Sequence, residues 1–366
     1  MMLPFPLGNA IMIGVGGLLC YLAIKKGYEP LLLLPIGFGA IIVNIPYGGL
    51  MEPGGFLRFL YDFGITSELF PILIFIGIGA MCDFGPLLER PWLMIFSAAG
   101  QIGIFIALIC ALLLGFPPRE ASCIGIIGAM DGPTAIYITS KYAPHILGSV
   151  TVAAYSYMSM VPIFQIPISK ALTTRRERLI RMKYEPGAYP RVVRLLFPIM
   201  VTLVTSIIAP KGVPLMGSLM LGNFMKESGV VERLSRTSEN ELANITTLLL
   251  GITIGGTMMA EQFLNVQTLL IFALGVIAFV SAIACGVLFA KAVCFITKGK
   301  VNPLIGGAGT SAFPMAARTA HRIGREEDPD NWLLMHAMMT NTGGQIGSVI
   351  AGGVILTFAP LLPGFL

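Results

Sequence analysis

The stretch Ile127-Gly128-Ala129-Met130-Asp131-Gly132-Pro133-Thr134 lies inside the apolar segment 121–139 and cannot be an uninterrupted helix. Gly125, Gly128 and Gly132 weaken the helical ladder, and Pro133 removes a backbone donor and crowds the preceding turn. Asp131 adds a carboxylate to apolar surroundings. An ionised carboxylate at membrane depth is costly unless it is paired, protonated or bound to a cation. Irregular backbone is tolerated at that depth only where protein or a polar cavity surrounds it. The fold must therefore enclose this break. A bland reading stands beside this one: Asp131 capping a helix that begins at Pro133.

Working outward, a second stretch has the same character: Asn302-Pro303-Leu304-Ile305-Gly306-Gly307-Ala308-Gly309-Thr310-Ser311-Ala312-Phe313-Pro314-Met315-Ala316-Ala317-Arg318, in segment 301–320. It offers an amide, two hydroxyls, freed carbonyls and one guanidinium. Composition places both stretches in a bilayer. Of 366 residues, 55% are hydrophobic and 12% charged, with mean hydropathy +0.82, whereas soluble domains carry about 25% charged residues. The 43 glycines and 25 prolines suit broken, closely packed membrane helices.

Apolar segments fall at about 10–24, 30–46, 67–82, 92–116, 121–139 and 146–169, and again at 192–210, 212–225, 243–259, 267–297, 301–320 and 331–360. The first reads as a membrane helix rather than a cleaved signal. Ile78-Gly79, Leu88 and Ile95-Phe96 recur 176 positions later as Ile254-Gly255, Leu264 and Ile271-Phe272, and Ile127-Gly128 recurs as Ile305-Gly306. The pattern implies two membrane repeats, 1–169 and 192–366, joined by a basic linker, 170–191. That linker and the adjoining helix start carry Lys170, Arg175, Arg176, Arg178, Arg181, Lys183, Arg191 and Arg194, and so should be cytoplasmic, as should Lys25 and Lys26.

Six full crossings per half would put these clusters on opposite faces. Demoting 121–139 and 301–320 to re-entrant or unwound segments leaves only Arg58, Arg119, Lys141 and Lys211 outside. The expected fold is then an all-α polytopic membrane protein of ten crossings, with inverted repeats whose broken segments meet near the midplane. A fully spanning but unwound segment is the alternative. Loops 47–66 and 226–242 read as interfacial helices.

The chemistry-bearing candidates follow from the breaks. Asp131, Thr134 and carbonyls freed near Gly128 and Gly132 offer the oxygens that an alkali cation takes, and Asn302, Thr310 and Ser311 could complete such a site. Arg318 could hold a carboxylate or carbamate, or simply anchor a segment end. Tyr155 and Tyr157 could donate a proton or ligate a cation, or merely find a hydrogen-bond partner. Asp83 reads as a helix cap, Asn341 and Gln345 as ion ligands or helix bridges, and His336 as a core histidine. The six cysteines form no C-x-x-C pair, three histidines are too few for a metal centre, and no phosphate loop points to ATP.

Taken together, Glu29-Pro30-Leu31-Leu32-Leu33-Leu34-Pro35-Ile36-Gly37-Phe38-Gly39, Asp83-Phe84-Gly85-Pro86-Leu87-Leu88, Asp131-Gly132-Pro133-Thr134-Ala135-Ile136-Tyr137, Glu227-Ser228-Gly229-Val230-Val231-Glu232-Arg233-Leu234 and Pro314-Met315-Ala316-Ala317-Arg318 resemble the beta subunit of the sodium-pumping biotin-dependent decarboxylases, essentially end to end. That family serves oxaloacetate, methylmalonyl-CoA, glutaconyl-CoA and malonate decarboxylation. The resemblance implies a bacterial inner-membrane subunit that decarboxylates carboxybiotin and exports Na+ with consumption of a proton. By the same matching, Asp131 is the sodium-linked carboxylate, and Tyr157, Asn302, Gly306, Ser311 and Arg318 inherit functional positions.

The resemblance further implies partners: a carboxyltransferase alpha subunit, a small single-helix membrane subunit, a biotin carrier protein and two further copies of this chain in a homotrimer. No nucleic acid is implied. No Ala-Met-Lys-Met string occurs, so biotin is expected from another chain, with the basic linker as a docking surface. The family pattern Gly-Gly-Ala before the aspartate is here Gly128-Ala129-Met130, a bulkier setting for Asp131. A secondary sodium/proton exchanger and a noncatalytic membrane scaffold are the rival readings.

Overall fold

The computed structural model describes residues 6–184 and 190–365; residues 1–5, 185–189 and 366, including part of the basic linker, lie outside it. The described residues are helical, without a strand. The order is α1 (Leu7–Lys26), α2 (Pro30–Val43), a short helix at Phe56–Thr66, α3 (Leu69–Met81), α4 (Pro91–Leu113), α5 (Pro118–Gly125), α6 (Gly132–Tyr142), α7 (Leu147–Ser159) and α8 (Val161–Leu172). Then come α9 (Arg191–Ile208), α10 (Val213–Ser228), short turns over Glu232–Thr237 and Ser238–Leu242, α11 (Ala243–Gly256), α12 (Val266–Ile296), a tight turn at Pro303–Ala308, α13 (Met315–Glu327) and α14 (Leu334–Phe358). Each half thus runs through two helices, an interfacial turn, two more helices, a broken segment and a closing helix.

Punctuation residues set the ends. Pro30, Pro118 and Pro133 occupy first-turn positions, where a missing N–H is harmless. Gly27 closes α1 in the left-handed conformation behind Lys25 and Lys26. Packing between the halves is reciprocal: α2 lies along α11, and α3 along α10. Both crossings rest on glycine. A Cβ on Gly255 would stand 2.7 Å from the Ala40 nitrogen, and one on Gly222 would stand 2.7 Å from that of Ala80. Any side chain there would force the helices apart.

The expected all-helical membrane architecture is present, and both expected breaks are too. The crossings differ in kind from ten uniform spans. Five helices are long and apolar enough to cross a membrane, and up to seven if each of two bent pairs counts once. Taken singly, α2 with 14 residues and α3 with 13 are short against the about 20 needed for the hydrocarbon core. The bent pairs are Phe56–Thr66 with α3, at 61°, and the Pro144–Ser159 segment with α8, at 62°. In the first pair, Phe56, Phe59 and Phe63 are exposed while Leu57, Leu60 and Ile65 are buried, which is an interfacial pattern.

Candidate functional site

Asp131 ends the first half of its broken segment. Met130 adopts φ 56°, which turns the chain out of the preceding tight turn. Asp131 itself is extended and caps α6, its Oδ1 accepting from the Thr134 amide at 3.3 Å. The capping role is therefore real, but it uses one oxygen. Oδ2 accepts from the Thr134 hydroxyl at 2.8 Å and lies 2.6 Å from the Ser348 hydroxyl of α14. Asp131 is 4% exposed, and its side-chain partners among the described residues are Thr134 and Ser348.

The second break lies against the first. The Ser311 amide donates to the Ala129 carbonyl at 3.2 Å, stitching the two unwound backbones together. The α14 face supplies the remaining bonds: the Gln345 amide donates to the Ser311 carbonyl at 2.5 Å, and Asn341 donates to the carbonyls of Ala308 and Thr310 at 3.1 and 2.6 Å. The Gln101 amide on α4 donates to the Gly309 carbonyl at 3.3 Å, and the Ser311 hydroxyl donates to the Gly344 carbonyl at 2.7 Å. These donations orient the amides, leaving the Gln101 and Asn341 side-chain oxygens and the Thr310 hydroxyl buried without partners among the described residues. Each unsatisfied buried polar atom costs about 1–3 kcal/mol. A cluster of spare oxygens is the donor set of a hard monovalent cation, whose acceptable ligands are neutral carbonyls and hydroxyls as well as carboxylates.

The other candidates are dispersed around this centre. Gly306 packs against Gly286 of α12, at a backbone approach too close for a side chain. Asn302 is fully engaged: its amide donates to the Arg178 and Ile180 carbonyls at 3.0 and 2.8 Å, and its oxygen accepts from the Leu304 amide. It pins the linker to the Pro303–Ala308 turn. Arg318 is exposed on the first turn of α13, its backbone amide donating to the Pro314 carbonyl at 3.1 Å and its guanidinium making no hydrogen bond or ion pair among the described residues. Tyr157 donates to the Phe272 carbonyl at 2.7 Å, within an aromatic cluster with Phe272 and Phe279. Tyr155, two residues earlier, lies against Gly132, and its hydroxyl is buried without a partner. Asp83 caps the next turn through Gly85, as expected. His336 is buried, with Nε2 3.1 Å from Arg90.

Ser348 escaped the sequence reading. Its signal was available: Asn341, Gln345 and Ser348 are spaced as one helix face, i, i+4 and i+7.

The basic linker is mostly consumed within the chain. Lys170 pairs with Glu326, Arg175 and Arg178 with Glu327, and Arg181 with Asp328 and Asp330. The Arg178 hydrogen bond holds the Glu327 carboxyl below its ordinary value, and Arg181 does the same for Asp328. As a docking surface the linker therefore offers less free charge than its sequence suggests.

A polytopic helical membrane protein with two broken segments meeting beside one buried carboxylate, which takes hydrogen bonds from the Thr134 and Ser348 hydroxyls, belongs among ion-translocating proteins. Comparison with known proteins makes this specific. The family described as the Na+-transporting oxaloacetate decarboxylase beta subunit matches residues 8–359, and the chain belongs to that family. It is 50% identical to the glutaconyl-CoA decarboxylase subunit beta of Acidaminococcus fermentans, over 96% of this chain and 93% of that one. It is also 50% identical to the methylmalonyl-CoA decarboxylase subunit beta of Veillonella parvula, over 97% and 94%. To the oxaloacetate decarboxylase beta chain of Klebsiella pneumoniae it is 44% identical, over 96% and 95%. The chain is thus a multi-pass protein of the bacterial inner membrane and a sodium-transporting decarboxylase subunit.

Proposed function

We propose that this subunit decarboxylates carboxybiotin, presented by a separate carrier protein, and couples that step to Na+ export with consumption of a proton. Relatives named for three different acids match this chain at 44–50% identity. What they share is then a step after the acid has been chosen, and a carboxyl group carried on biotin is such a common intermediate. A carboxyltransferase alpha subunit would select the acid, with the carrier, a small single-helix subunit and two further copies of this chain completing the assembly.

The observation carrying the reading is the meeting of the two breaks at Asp131. Asp131, Thr134 and Ser348 would hold Na+ from one side. The spare oxygens of Gln101, Thr310 and Asn341, with Ser311 beside them, would serve it from the other. Arg318, unpaired and one turn beyond the second break, would bind the carbamate anion from the cytoplasm. When the N–C bond of the carbamate breaks, CO2 leaves and the biotin nitrogen takes up a proton. Export of one Na+ costs about 2.3 kcal/mol per 100 mV of membrane potential, and this cleavage is the downhill step coupled to it. Inverted repeats related by the reciprocal α2–α11 and α3–α10 packing would let one site open to either face.

The test is sodium uptake into inverted vesicles containing the whole complex, with and without avidin. Avidin should abolish uptake and decarboxylation together. Sodium flux that persists under avidin would identify a carrier-independent exchanger instead.

A further inference from the structure

At the end of α12, where Lys291 Nζ donates to the Leu172 carbonyl that closes α8 at 2.9 Å, a cavity of about 760 Å³ opens at the surface. Its lining mixes three cations, Arg176, Lys291 and Lys298, with one carboxylate, Glu177, and the apolar side chains of Phe295 and Ile296. The carboxylate is spent locally. Glu177 accepts from the Thr174 amide at 2.6 Å and the Thr174 hydroxyl at 3.0 Å, and stands 3.5 Å from Lys291 Nζ. Two positive charges are left over. Whereas Arg175, Arg178 and Arg181 of the same linker pair with carboxylates, the Arg176 guanidinium and the Lys298 ammonium have no hydrogen bond or ion pair among the described residues.

The backbone fixes where Lys298 stands. It takes a left-handed conformation, φ 54°, that favours glycine, and Gly299 follows at φ 82°. The Thr297, Lys298 and Gly299 amides donate to the Val293, Phe295 and Cys294 carbonyls at 2.8, 3.1 and 2.9 Å, which holds this turn against the end of α12. Immediately before it, Phe295 and Ile296 are 87% and 76% exposed. Leu288, Ala292 and Phe295 are all exposed at i, i+4 and i+7, so one apolar stripe runs along α12 to the cavity. On a helix apolar enough to span a membrane such a stripe faces acyl chains, and a basic pocket at its end stands at headgroup level.

We propose that this cavity binds one anionic phospholipid, its phosphodiester between Arg176 and Lys298 and an acyl chain along Leu288, Ala292 and Phe295. A free phosphate or an acidic protein would use the two cations and leave the stripe unexplained. A lipid uses both, in the order in which α12 presents them. The inference is independent of the sodium-pump reading.

The test supplies the complete complex, in neutral detergent, with equal amounts of phosphatidylglycerol and phosphatidylcholine, and reads the lipid retained on this chain by native mass spectrometry. The wild type should keep one phosphatidylglycerol per chain in preference to phosphatidylcholine. Retention of phosphatidylglycerol should fall about fivefold in Arg176→Gln and in Lys298→Gln, and about 25-fold in the double variant, with melting temperature unchanged because neither side chain has a partner. Phe295→Ser should weaken retention of both lipids, and Lys26→Gln, which removes an exposed cation at the end of α1, should change neither. Equal retention of the two lipids by the wild type, an undiminished preference in the double variant, or an equal loss in Lys26→Gln overturns the proposal. So does displacement of phosphatidylglycerol by millimolar inorganic phosphate, which would mark a free-phosphate site. Slower turnover with the carrier protein while lipid retention stays intact would mark a protein-docking face, and overturns it too.

Discussion

The two broken segments solve the same problem in opposite ways. The first places a full charge in the membrane core and surrounds it with donors: the Thr134 amide and hydroxyl, and the Ser348 hydroxyl. The second carries no charge at its break, takes donors from Gln101, Asn341 and Gln345 to hold its carbonyls, and leaves side-chain oxygens over. One break is saturated with donors and the other has acceptors to spare. A cation between them would be drawn by charge from the first and by unused lone pairs from the second. In the site proposed above, the charge would come from the first break and most of the unused oxygens from the second break and the helices packed on it.

The comparison breaks first at its charge. Asp131→Asn keeps an oxygen for Thr134 and Ser348 but removes the charge, and sodium-coupled decarboxylation should fall by at least about 10²-fold, measured in proteoliposomes. Retained activity would mean that the second break suffices. Ser348→Ala takes away one donor to the carboxylate, and sodium affinity should weaken about tenfold, a cost of about 1.4 kcal/mol, read from sodium-dependent turnover.

Thr310→Val sharpens the other side. Its hydroxyl satisfies nothing, so melting temperature should hold or rise while sodium affinity falls several-fold. If stability drops instead, the hydroxyl is structural. Acid provides a smaller, reversible test at the linker. Glu326, Glu327 and Asp328 have depressed folded-state values, so their ion pairs stabilise the linker at neutral pH and are lost as pH falls below the ordinary carboxyl range. Hydrogen exchange of residues 174–184 should therefore quicken as pH falls through that range, after correction for intrinsic rates. At Met130 two terms oppose each other: its left-handed backbone costs about 1–2 kcal/mol in a non-glycine residue, and its buried side chain contributes about 2–5 kcal/mol of packing. Met130→Gly should therefore lower the melting temperature by the small difference between them, measured in thermal unfolding.

Much of this was legible in the residues. Charge imbalance, glycine and proline placement and one stranded aspartate were enough to locate two broken segments and to identify Asp131, Thr134 and Ser311 as neighbours of the breaks. Those features are local: a proline interrupts whatever helix contains it, and a carboxylate needs a partner wherever lipid surrounds it. The crossings were less legible. Hydropathy reports that a segment is buried in apolar surroundings, not whether it spans them, and α2 and α3 are short helices packed in glycine-backed crossings.

The sequence by itself determined that this protein is a helical membrane protein with an enclosed acid, because composition and backbone breakers act on the chain whatever its packing. Only the tertiary structure decided which oxygens face that acid. Ser348 lies 217 positions from Asp131, Tyr155 and Tyr157 differ only in the way α7 turns them, and Asn302 is spent on the linker rather than turned inward. Side-chain direction is set by helix rotation and by contacts between helices distant in the chain, and residues that meet only in space leave no mark on their chain neighbours.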